Sequence, residues 1–547
     1  DAQYTPDQYK KLRRKIDRYL LPLMWLCYGV QQADKTSIAT MATFGLSEDL
    51  GLIGQQYSWL TTIFYITYLC FEFPSNIILQ RWRMGKILSI YMVGWGVVVL
   101  CIGFTQNFTQ IVTLRALQGL FECCISPGFV LIIGNWYTRS EHVSRSLFFG
   151  SANAGFSIVA NLVLYGIGTL QYKRPDSEPW RYMSYFLGGL TVVVGIFCLY
   201  FLGTASDVPW LSSEERRMAN TRVLKNQSGH DRTGVAVWKW YQVRECLVDP
   251  CFYFSGCIAF LSCVPNGGIT TFGSILNTSF GFTPLQAILL NIPINVTSVL
   301  LCVCVGVASH RWKDIRLYIM MAACIPPFIG FLGLAFIETT DSTKWIKWGM
   351  YYMTVPFVLS FFLALTLIPS NVPGRTKRTV TSSFTFVGYC VGNMCGSQIF
   401  RSQDAPEYTN GIVGCCVCFG LQFIVTCMWR MTLVLRNRQR DRPNLSDGLT
   451  REQREIQGRI NGENDLTDFE NPYVRHLSSC DLPPLFYLYF VPVPLYVVNP
   501  HILVWMRKLL PGERVFHLCG YICFIEFFSY TTCRSNVYKR VNSGKDV

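Results

Sequence analysis

Long apolar stretches, separated by short polar and basic segments, dominate the sequence. Residues 87–105 and 182–203 are two such stretches, and neither contains a charged side chain. Because a helix rises about 1.5 Å per residue, about 20 mostly apolar residues are needed to cross the ~30 Å of hydrocarbon in a bilayer. The pattern therefore predicts transmembrane helices, since helices buried in soluble proteins rarely stay apolar over this length.

Twelve predicted spans fall into two groups of six. From span 1 to span 12 they cover residues 19–41, 57–79, 87–105, 109–133, 145–168, 182–204, 251–276, 284–309, 316–338, 346–370, 379–400 and 411–435. The polar segment 205–250 separates the groups and contains a predicted surface helix, because residues 211–215 (Leu-Ser-Ser-Glu-Glu) offer capping residues ahead of a charged stretch. The predicted fold is an all-α membrane protein with twelve transmembrane helices in two six-helix halves, 19–204 and 251–436.

Basic residues alternate between the two sets of loops. The N-terminal tail, residues 1–18, and every second loop carry them: Lys10, Lys11, Arg13, Arg14, Lys15, Arg18; Arg81, Arg83, Lys86; Arg139, Arg145; Arg311, Lys313, Arg316; Arg375, Lys377, Arg378. The opposite loops, 42–56, 104–110 and 277–284, contain no Lys or Arg. Because positively charged loops stay in the cytoplasm, both termini and the central segment are predicted to be cytoplasmic.

Composition narrows the functional classes. Only 15% of residues are charged, against roughly 25% in soluble globular proteins. The net charge of +14 does not indicate nucleic-acid binding, because the basic residues cluster at span ends and in the polar segments instead of along one face. Most of the 23 cysteines stand singly in apolar stretches, and the six histidines lie outside the span interiors. We therefore expect no enzyme, no metal site and no cofactor.

An internal repeat suggests duplication. Residues 81–86 (Arg-Trp-Arg-Met-Gly-Lys) follow span 2, and residues 311–316 (Arg-Trp-Lys-Asp-Ile-Arg) follow span 8, at the equivalent place in each half. Gly306, His310, Arg311 and Arg316 resemble a degenerate form of the loop motif of the major facilitator superfamily, and residues 115–119 resemble its R-x-x-x-G element. That resemblance implies two parallel six-helix halves with the substrate between them near the midplane.

Strings across residues 15–476 are similar to those of the fungal allantoate permease family of anion:cation symporters. They are Asp34-Lys35-Thr36, Gly54–Leu60, Phe71-Glu72-Phe73-Pro74, Phe121-Glu122, Ser126–Phe129, Asn371–Arg378, Gly388–Asn393 and Asp404–Tyr408. The resemblance implies a monomeric plasma-membrane protein that imports a small organic anion, such as allantoate or a related ureide or carboxylate, together with protons. Two alternatives stay open: an importer of a vitamin-type carboxylate (nicotinate, pantothenate or biotin), and a non-transporting nutrient sensor.

Few ionisable side chains lie inside the predicted spans, and such groups are candidates for function because charge is costly in hydrocarbon. Asp34 and Lys35 lie ~22 Å from the cytoplasmic face, and Arg115 lies ~8 Å below the outer face, so all three share one depth. Glu122 follows Arg115 on the same face of span 4, nearer the midplane. Glu72 lies toward the cytoplasmic end of span 2.

These charges have two interpretations. In the functional one, Arg115 binds the substrate carboxylate with its planar fork, Lys35 adds a second positive charge, and Asp34 or Glu122 carries the coupled proton. In the structural one, Asp34, Arg115 and Glu122 form a fixed ion-pair network inside the N-terminal half. Glu72 is predicted to dock on the loop of Arg81, Arg83 and Lys86 and, with Arg311 and Arg316, to form a cytoplasmic gate.

Neutral polar residues in the spans are candidates for the rest of the binding site. They are Asn153, Asn266, Asn291, Asn295, Tyr389 and Asn393. Amide and phenol groups suit an amide-rich ligand such as a ureide, and they equally suit hydrogen bonds that bridge helices. The sequence leaves both roles open.

The end of the chain departs from the family pattern. Residues 437–476 resemble the family's cytoplasmic C-terminal tail, whereas residues 477–547 have no counterpart in it. Prolines at 483–484, 492 and 494 interrupt the apolar part and argue against a clean span. We therefore expect residues 477–547 to be an appended segment that does not belong to the transporter fold.

Overall fold

The computed structural model describes residues 4–473, except 139, 140, 142–144, 146, 147, 149, 175, 206, 225–237, 312–314, 445–449 and 464. This part of the chain is helical and contains no β-strand. The predicted appended segment, 477–547, lies outside the described residues.

Six spans form the N-terminal half. Their helices are Pro6–Thr43 (span 1), Gln56–Arg81 (span 2), Met84–Ile102 (span 3), Phe108–Glu122 with Ile125–Trp136 (span 4), Ala152–Gly168 (span 5) and Pro179–Phe201 (span 6). Two single-turn helices, Leu46–Asp49 and Leu170–Lys173, follow spans 1 and 5.

Six spans also form the C-terminal half. Their helices are Pro250–Ser279 (span 7), Pro284–Arg311 (span 8), Arg316–Phe336 (span 9), Lys344–Tyr352 with Phe357–Asn371 (span 10), Arg375–Ile399 (span 11) and Thr409–Asn444 (span 12). A 3₁₀ turn, Ser402–Asp404, precedes span 12, and the helices Trp240–Val248 and Arg451–Glu463 lie outside the spans. The predicted surface helix is confirmed as Ser213–Leu224, and Ser212 and Glu215 exchange the reciprocal hydrogen bonds of a capping box at its start.

Nine helices in the described part of the chain are long and apolar enough to cross a membrane, and span 5 is apolar but shorter. Spans 1 and 11 are not among these helices, because they carry more polar side chains. Several of these side chains have partners inside the protein. In span 11, Thr385 donates a hydrogen bond to Ser255 (3.0 Å), and Ser397 shares one with Thr62 (3.1 Å). Polarity in a span therefore marks contact with other helices here, not exposure to lipid.

The two halves are joined near one end of the bundle. We call the end with residues 4–18 and the start of span 11 the basic side, and the opposite end the far side. Across the halves, span 1 packs on span 7, span 2 on span 11 and span 5 on span 8. Near the far side, the hydroxyl of Tyr57 donates to the carbonyl of Thr271 (2.7 Å), and Thr40 lies 3.4 Å from Ser274. At the basic side, the Arg145–Asp17 and Lys377–Asp249 ion pairs each stay within one half.

Spans 7 and 11 approach each other closely in the C-terminal half. A Cβ atom on Gly392 would lie 2.6 Å from the carbonyl oxygen of Phe260, so only glycine fits there. This approach brings two of the predicted site residues together, because the amide of Asn266 donates to the side-chain oxygen of Asn393 (2.8 Å).

The polar tail segment, residues 465–473, packs on the basic side of the C-terminal half. Asp468 is buried and lies 2.5 Å from Lys377, which also pairs with Asp249 at 2.9 Å. Burial would raise the pKa of Asp249, but the charges of Lys377 and Arg436 outweigh it and hold that pKa at about 2. The tail segment thus completes a charge cluster that ties it to the starts of spans 7 and 11.

Candidate functional site

Lys35 and Glu122 form an ion pair inside the N-terminal half. The Lys35 Nζ atom lies 2.8 Å from Glu122 Oε1, and the amide of Gln31 donates to the same oxygen at 3.0 Å. Glu122 is fully buried, whereas 17% of the Lys35 side chain remains accessible. The second carboxylate oxygen, Oε2, is enclosed and has no hydrogen-bond partner among the described residues. The carboxylate is therefore only half satisfied, and it depends on Lys35 for its charge balance.

Aromatic rings surround the Lys35 ammonium. Its Nζ atom lies 5.5 Å from the centroid of the Tyr68 ring and 5.6 Å from that of Phe64, both in span 2. At these distances the ring faces attract the cation. Phe64 and Tyr68 are almost completely buried, so they also shield the ammonium group from the surrounding solvent.

The same ring cluster crosses the boundary between the halves. Tyr68 lies 5.7 Å from Phe386, and Tyr65 lies 5.9 Å edge-on from Tyr389, both of which belong to span 11. Phe386 and Tyr389 stack on each other and are only half-buried. The Lys35–Glu122 pair therefore lies beside the surface where the two halves meet, one layer behind accessible rings.

Asp34 and Arg115 belong to a separate network. Asp34 Oδ2 accepts hydrogen bonds from Trp95 Nε1 (3.0 Å) and from the amide of Gln118. The oxygen of the same Gln118 amide accepts from Arg115 Nη1 (2.7 Å), and Arg115 Nε donates to the carbonyl of Leu60 (3.2 Å). Gln118 thus joins the two charges, and all three side chains are buried.

This second network faces the interior of its own half. A small cavity beside Asp34 and Arg115 is lined by residues of spans 1, 3, 4 and 6 and of the turn after span 1, all in the N-terminal half. The sequence prediction that Asp34 and Arg115 share one depth agrees with their common partner. The predicted site did not include Gln118 or Gln31. Each of these amides lies one helical turn from a charged residue of the same span, which is a signal that the sequence contains.

The predicted neutral site residues fall into two groups. Asn393 is fully buried, and its amide donates to the carbonyl of Tyr389 (2.8 Å) while its oxygen accepts from Asn266. These three residues are brought together where spans 7 and 11 cross. Asn153 in span 5, and Asn291 and Asn295 in span 8, are half-buried and do not join that group.

The predicted gate residues are less closely associated. Glu72 is half-buried in span 2, and no ion pair joins it to Arg81 or Arg83, both of which the structure describes. Arg83 instead lies 3.7 Å from Asp207 at the basic side, and Lys86 is exposed. Arg316 donates to the carbonyl of Thr366 (3.3 Å), and the side chain of Arg311 is not among those described. A shared gate of these residues stays a prediction.

The charged and amide side chains of the candidate site suit ion pairing and hydrogen bonding to a small ligand. No group of three or more His, Cys, Asp or Glu side chains in the described part of the chain is placed to hold a metal ion. Every cysteine in that part of the chain is a free thiol.

Comparison with known proteins identifies the family. The family model described as Major Facilitator Superfamily matches residues 24–397. The chain is 30% identical over 489 residues to the allantoate permease of Saccharomyces cerevisiae, and the matched region covers 87% of this chain and 88% of that one. It is 32% identical over 482 residues to an uncharacterized transporter of Schizosaccharomyces pombe, with 86% and 89% covered.

The fold has solved counterparts. The xylose transporter XylE from E. coli, in a partially occluded inward open conformation, superimposes with a TM-score of 0.56 at 13% identity and covers 76% of this chain and 98% of that one. These matches confirm the predicted twelve-helix fold and the resemblance to fungal permeases, and they identify transporters, not enzymes. The chain is therefore a multi-pass membrane transporter that belongs to the major facilitator superfamily.

Proposed function

We propose that this protein imports a small organic anion together with a proton, and that Lys35 and Glu122 couple the two. The observation that carries this proposal is the ion pair itself, whose carboxylate is fully buried and has one oxygen without a hydrogen-bond partner among the residues that the structure describes. The pair also lies beside the boundary between the halves, where transporters of this fold bind their substrates.

Charge balance explains how the pair would couple the two ions. A substrate carboxylate that reaches Lys35 competes with Glu122 for the same ammonium group. Once displaced, Glu122 would be an unpaired charge in an enclosed site, which is strongly unfavourable, so it would take up a proton. Release of the anion would return Lys35 to Glu122 and expel the proton. One anion and one proton would thus move together.

Asp34 and Arg115 remain the alternative pair for these roles. Arg115 offers more donors to a carboxylate than Lys35 does, but two of its nitrogens already donate to Gln118 and Leu60. Asp34 likewise accepts two hydrogen bonds in the interior of its half. The contacts therefore favour Lys35 and Glu122 for coupling, and Asp34 and Arg115 for holding spans 1 to 4 together.

The remaining polar groups would define the substrate. The half-buried Asn266 and Tyr389 could bind the amide groups of a ureide, which agrees with the similarity to allantoate permease, while the fully buried Asn393 holds the Asn266 amide in place. The half-buried rings of Phe386 and Tyr389 favour a second candidate, a flat vitamin-type carboxylate such as nicotinate, because such a ring can stack on them.

The basic side supports a proposal for the orientation of the protein in the membrane. We propose that this side faces the cytoplasm and that the protein resides in the plasma membrane as a monomer. Hydrogen bonds between Tyr57 and Thr271 and between Thr62 and Ser397 join the halves near the far side. The structure would then correspond to a state in which the substrate path is closed toward the outside.

Uptake into vesicles tests the proposal. The purified chain in proteoliposomes would receive radiolabelled allantoate, nicotinate or pantothenate at an acidic and a neutral external pH, with the concentration of the anionic form held equal. We expect faster uptake of at least one anion at the acidic pH, and loss of that stimulation when a protonophore collapses the gradient. Equal rates at both pH values for every transported anion would exclude proton coupling.

Two variants decide between the candidate pairs. Lys35→Met removes the ammonium group but keeps an unbranched side chain, and Arg115→Met does the same for the guanidinium group. If Lys35 binds the anion, its variant loses uptake even at saturating substrate, whereas Arg115→Met loses folded protein first. The opposite result, a folded but inactive Arg115→Met beside an active Lys35→Met, would assign the anion to Arg115.

A further inference from the structure

Glu72 in span 2 is a half-buried carboxylate with one enclosed oxygen, and the Lys35–Glu122 coupling pair does not use it. Its Oε2 atom is buried and has no hydrogen-bond partner in the part of the chain that the structure describes, and the same holds for the Oδ1 atom of Asn76, one turn further along the helix. No Lys or Arg in the described part of the chain forms an ion pair with Glu72. An enclosed carboxyl oxygen without a donor is tolerated far better when the group can gain and lose a proton.

Glu72 lies on the same face of span 2 as Tyr68, which contacts the coupling pair. Residues four apart lie above one another on a helix, so Tyr68, Glu72 and Asn76 form one row. The Tyr68 ring centroid lies 5.5 Å from the Lys35 ammonium group, which pairs with Glu122. Tyr68 therefore contacts the coupling pair and lies one helical turn from Glu72.

Span 4 packs against span 2 beside Glu72, because Cys123 directly follows Glu122 and contacts Ser75, three residues beyond Glu72. Cys123 donates to Ser75 (3.3 Å), whose hydroxyl shares a hydrogen bond of 3.1 Å with Tyr91 of span 3. The Cys123 thiol, the Ser75 hydroxyl and the Tyr91 phenol are uncharged at neutral pH, so none of them neutralises a Glu72 carboxylate.

Span 2 continues from Glu72 toward the basic side. Span 2 ends at Arg81, which lies nine residues, or about 13 Å, beyond Glu72. The side chains of Phe71 and Phe73, next to Glu72 in sequence, are exposed. Glu72 thus lies between the enclosed coupling pair and the end of the helix on the basic side.

We propose that Glu72 is the residue that passes the coupled proton between Glu122 and the basic side. This inference rests on the proposed function. When the anion leaves Lys35, the proton of the Glu122 carboxyl group moves to the Glu72 carboxylate, and Glu122, now an anion, pairs with Lys35 again. Glu72 then releases the proton to the water at the basic side. One proton crosses in each cycle, and both carboxyl groups return to their starting states.

Net uptake and exchange separate proton release from substrate binding. Net uptake requires that the protein release the proton and return empty, whereas exchange of labelled for unlabelled substrate does not. In proteoliposomes, Glu72→Gln should therefore retain exchange at the wild-type rate, while net uptake driven by a pH gradient falls about 100-fold, the size typical of a lost proton-transfer group. A pH-sensitive dye inside the vesicles should show the matching loss of substrate-induced proton entry.

Matched variants complete the test. Glu214→Gln makes the same substitution on the exposed surface helix and should change neither rate. Glu72→Asp keeps a carboxyl group and should recover part of the net uptake. Loss of exchange together with net uptake in folded Glu72→Gln, or net uptake at the wild-type rate, would overturn the inference. Wild-type vesicles that transport the anion without any proton entry would overturn the proposed function itself.

Discussion

The Lys35–Glu122 ion pair allows stability and transport to be separated in one set of variants. Lys35→Met would leave the Glu122 carboxylate fully enclosed with a single donor, from Gln31. Breaking a buried ion pair by removing one partner costs about 3–5 kcal/mol. Because 17% of the Lys35 side chain is accessible, the lower end of that range, about 3 kcal/mol, is expected.

The double variant should behave differently. Lys35→Met with Glu122→Gln removes both charges, and replacement of a whole buried pair by neutral groups is often close to neutral for stability. The free energy of unfolding of the double variant should therefore lie within about 1 kcal/mol of the wild-type value. Compared with the loss of about 3 kcal/mol in Lys35→Met, this corresponds to a coupling energy of about 2 kcal/mol or more between the two positions. It should nevertheless show no proton-driven uptake.

Thermal unfolding of the purified protein in detergent measures the first part of this prediction. For a cooperative unit the size of one six-helix half, 1 kcal/mol corresponds to about 2–4 °C, so Lys35→Met should lower the unfolding temperature by about 6–12 °C. The surface pair Lys15–Glu215, at 2.7 Å and partly exposed, serves as the control. Its single variants should cost no more than about 1 kcal/mol.

Two outcomes would contradict this prediction. If Lys35→Met unfolded at the wild-type temperature, Glu122 would not depend on Lys35 for its charge balance. If the double variant regained stability and also took up the anion with protons, the pair would be a structural element only. Uptake assays on the same detergent-purified samples, after reconstitution into vesicles, distinguish these cases.

Three further predictions concern the structure around the site. Gln118→Leu should cost about 1–3 kcal/mol, measured by thermal unfolding, because two buried charges lose a shared amide. Because the pKa of Asp249 is held at about 2, below its unfolded value of about 4, the stability that Asp249 contributes should be constant above about pH 4 and should fall as the pH drops toward 2. Asp249→Asn should remove this loss of stability in acid and leave any pH dependence of uptake nearer neutrality unchanged. Gly392→Ala should lower the free energy of unfolding by about 1–3 kcal/mol, measured by thermal unfolding, because its Cβ would lie 2.6 Å from the Phe260 carbonyl oxygen. Gly166→Ala should be tolerated, because a Cβ there has no neighbouring atom within 4 Å.

Hydropathy along the chain was enough to predict the fold, because the bilayer imposes its own requirement on each segment. A span must be apolar over about 20 residues whatever its neighbours are, so spans such as Met84–Ile102 and Pro179–Phe201 can be read without tertiary information. The scarcity of charge inside the spans likewise singled out Asp34, Lys35, Arg115 and Glu122. The depth of each residue followed from counting along its helix.

The partners of those charges were decided only by the tertiary structure. Successive residues on a helix point about 100° apart, so Asp34 and Lys35, adjacent in sequence, face different neighbours. Asp34 meets Trp95 and Gln118 within its own half, while Lys35 meets Glu122 beside the boundary between the halves. Sequence determines how deep a charge lies in the membrane, but the order in which helices pack around it determines which group it pairs with, because that order depends on contacts between segments far apart in the chain.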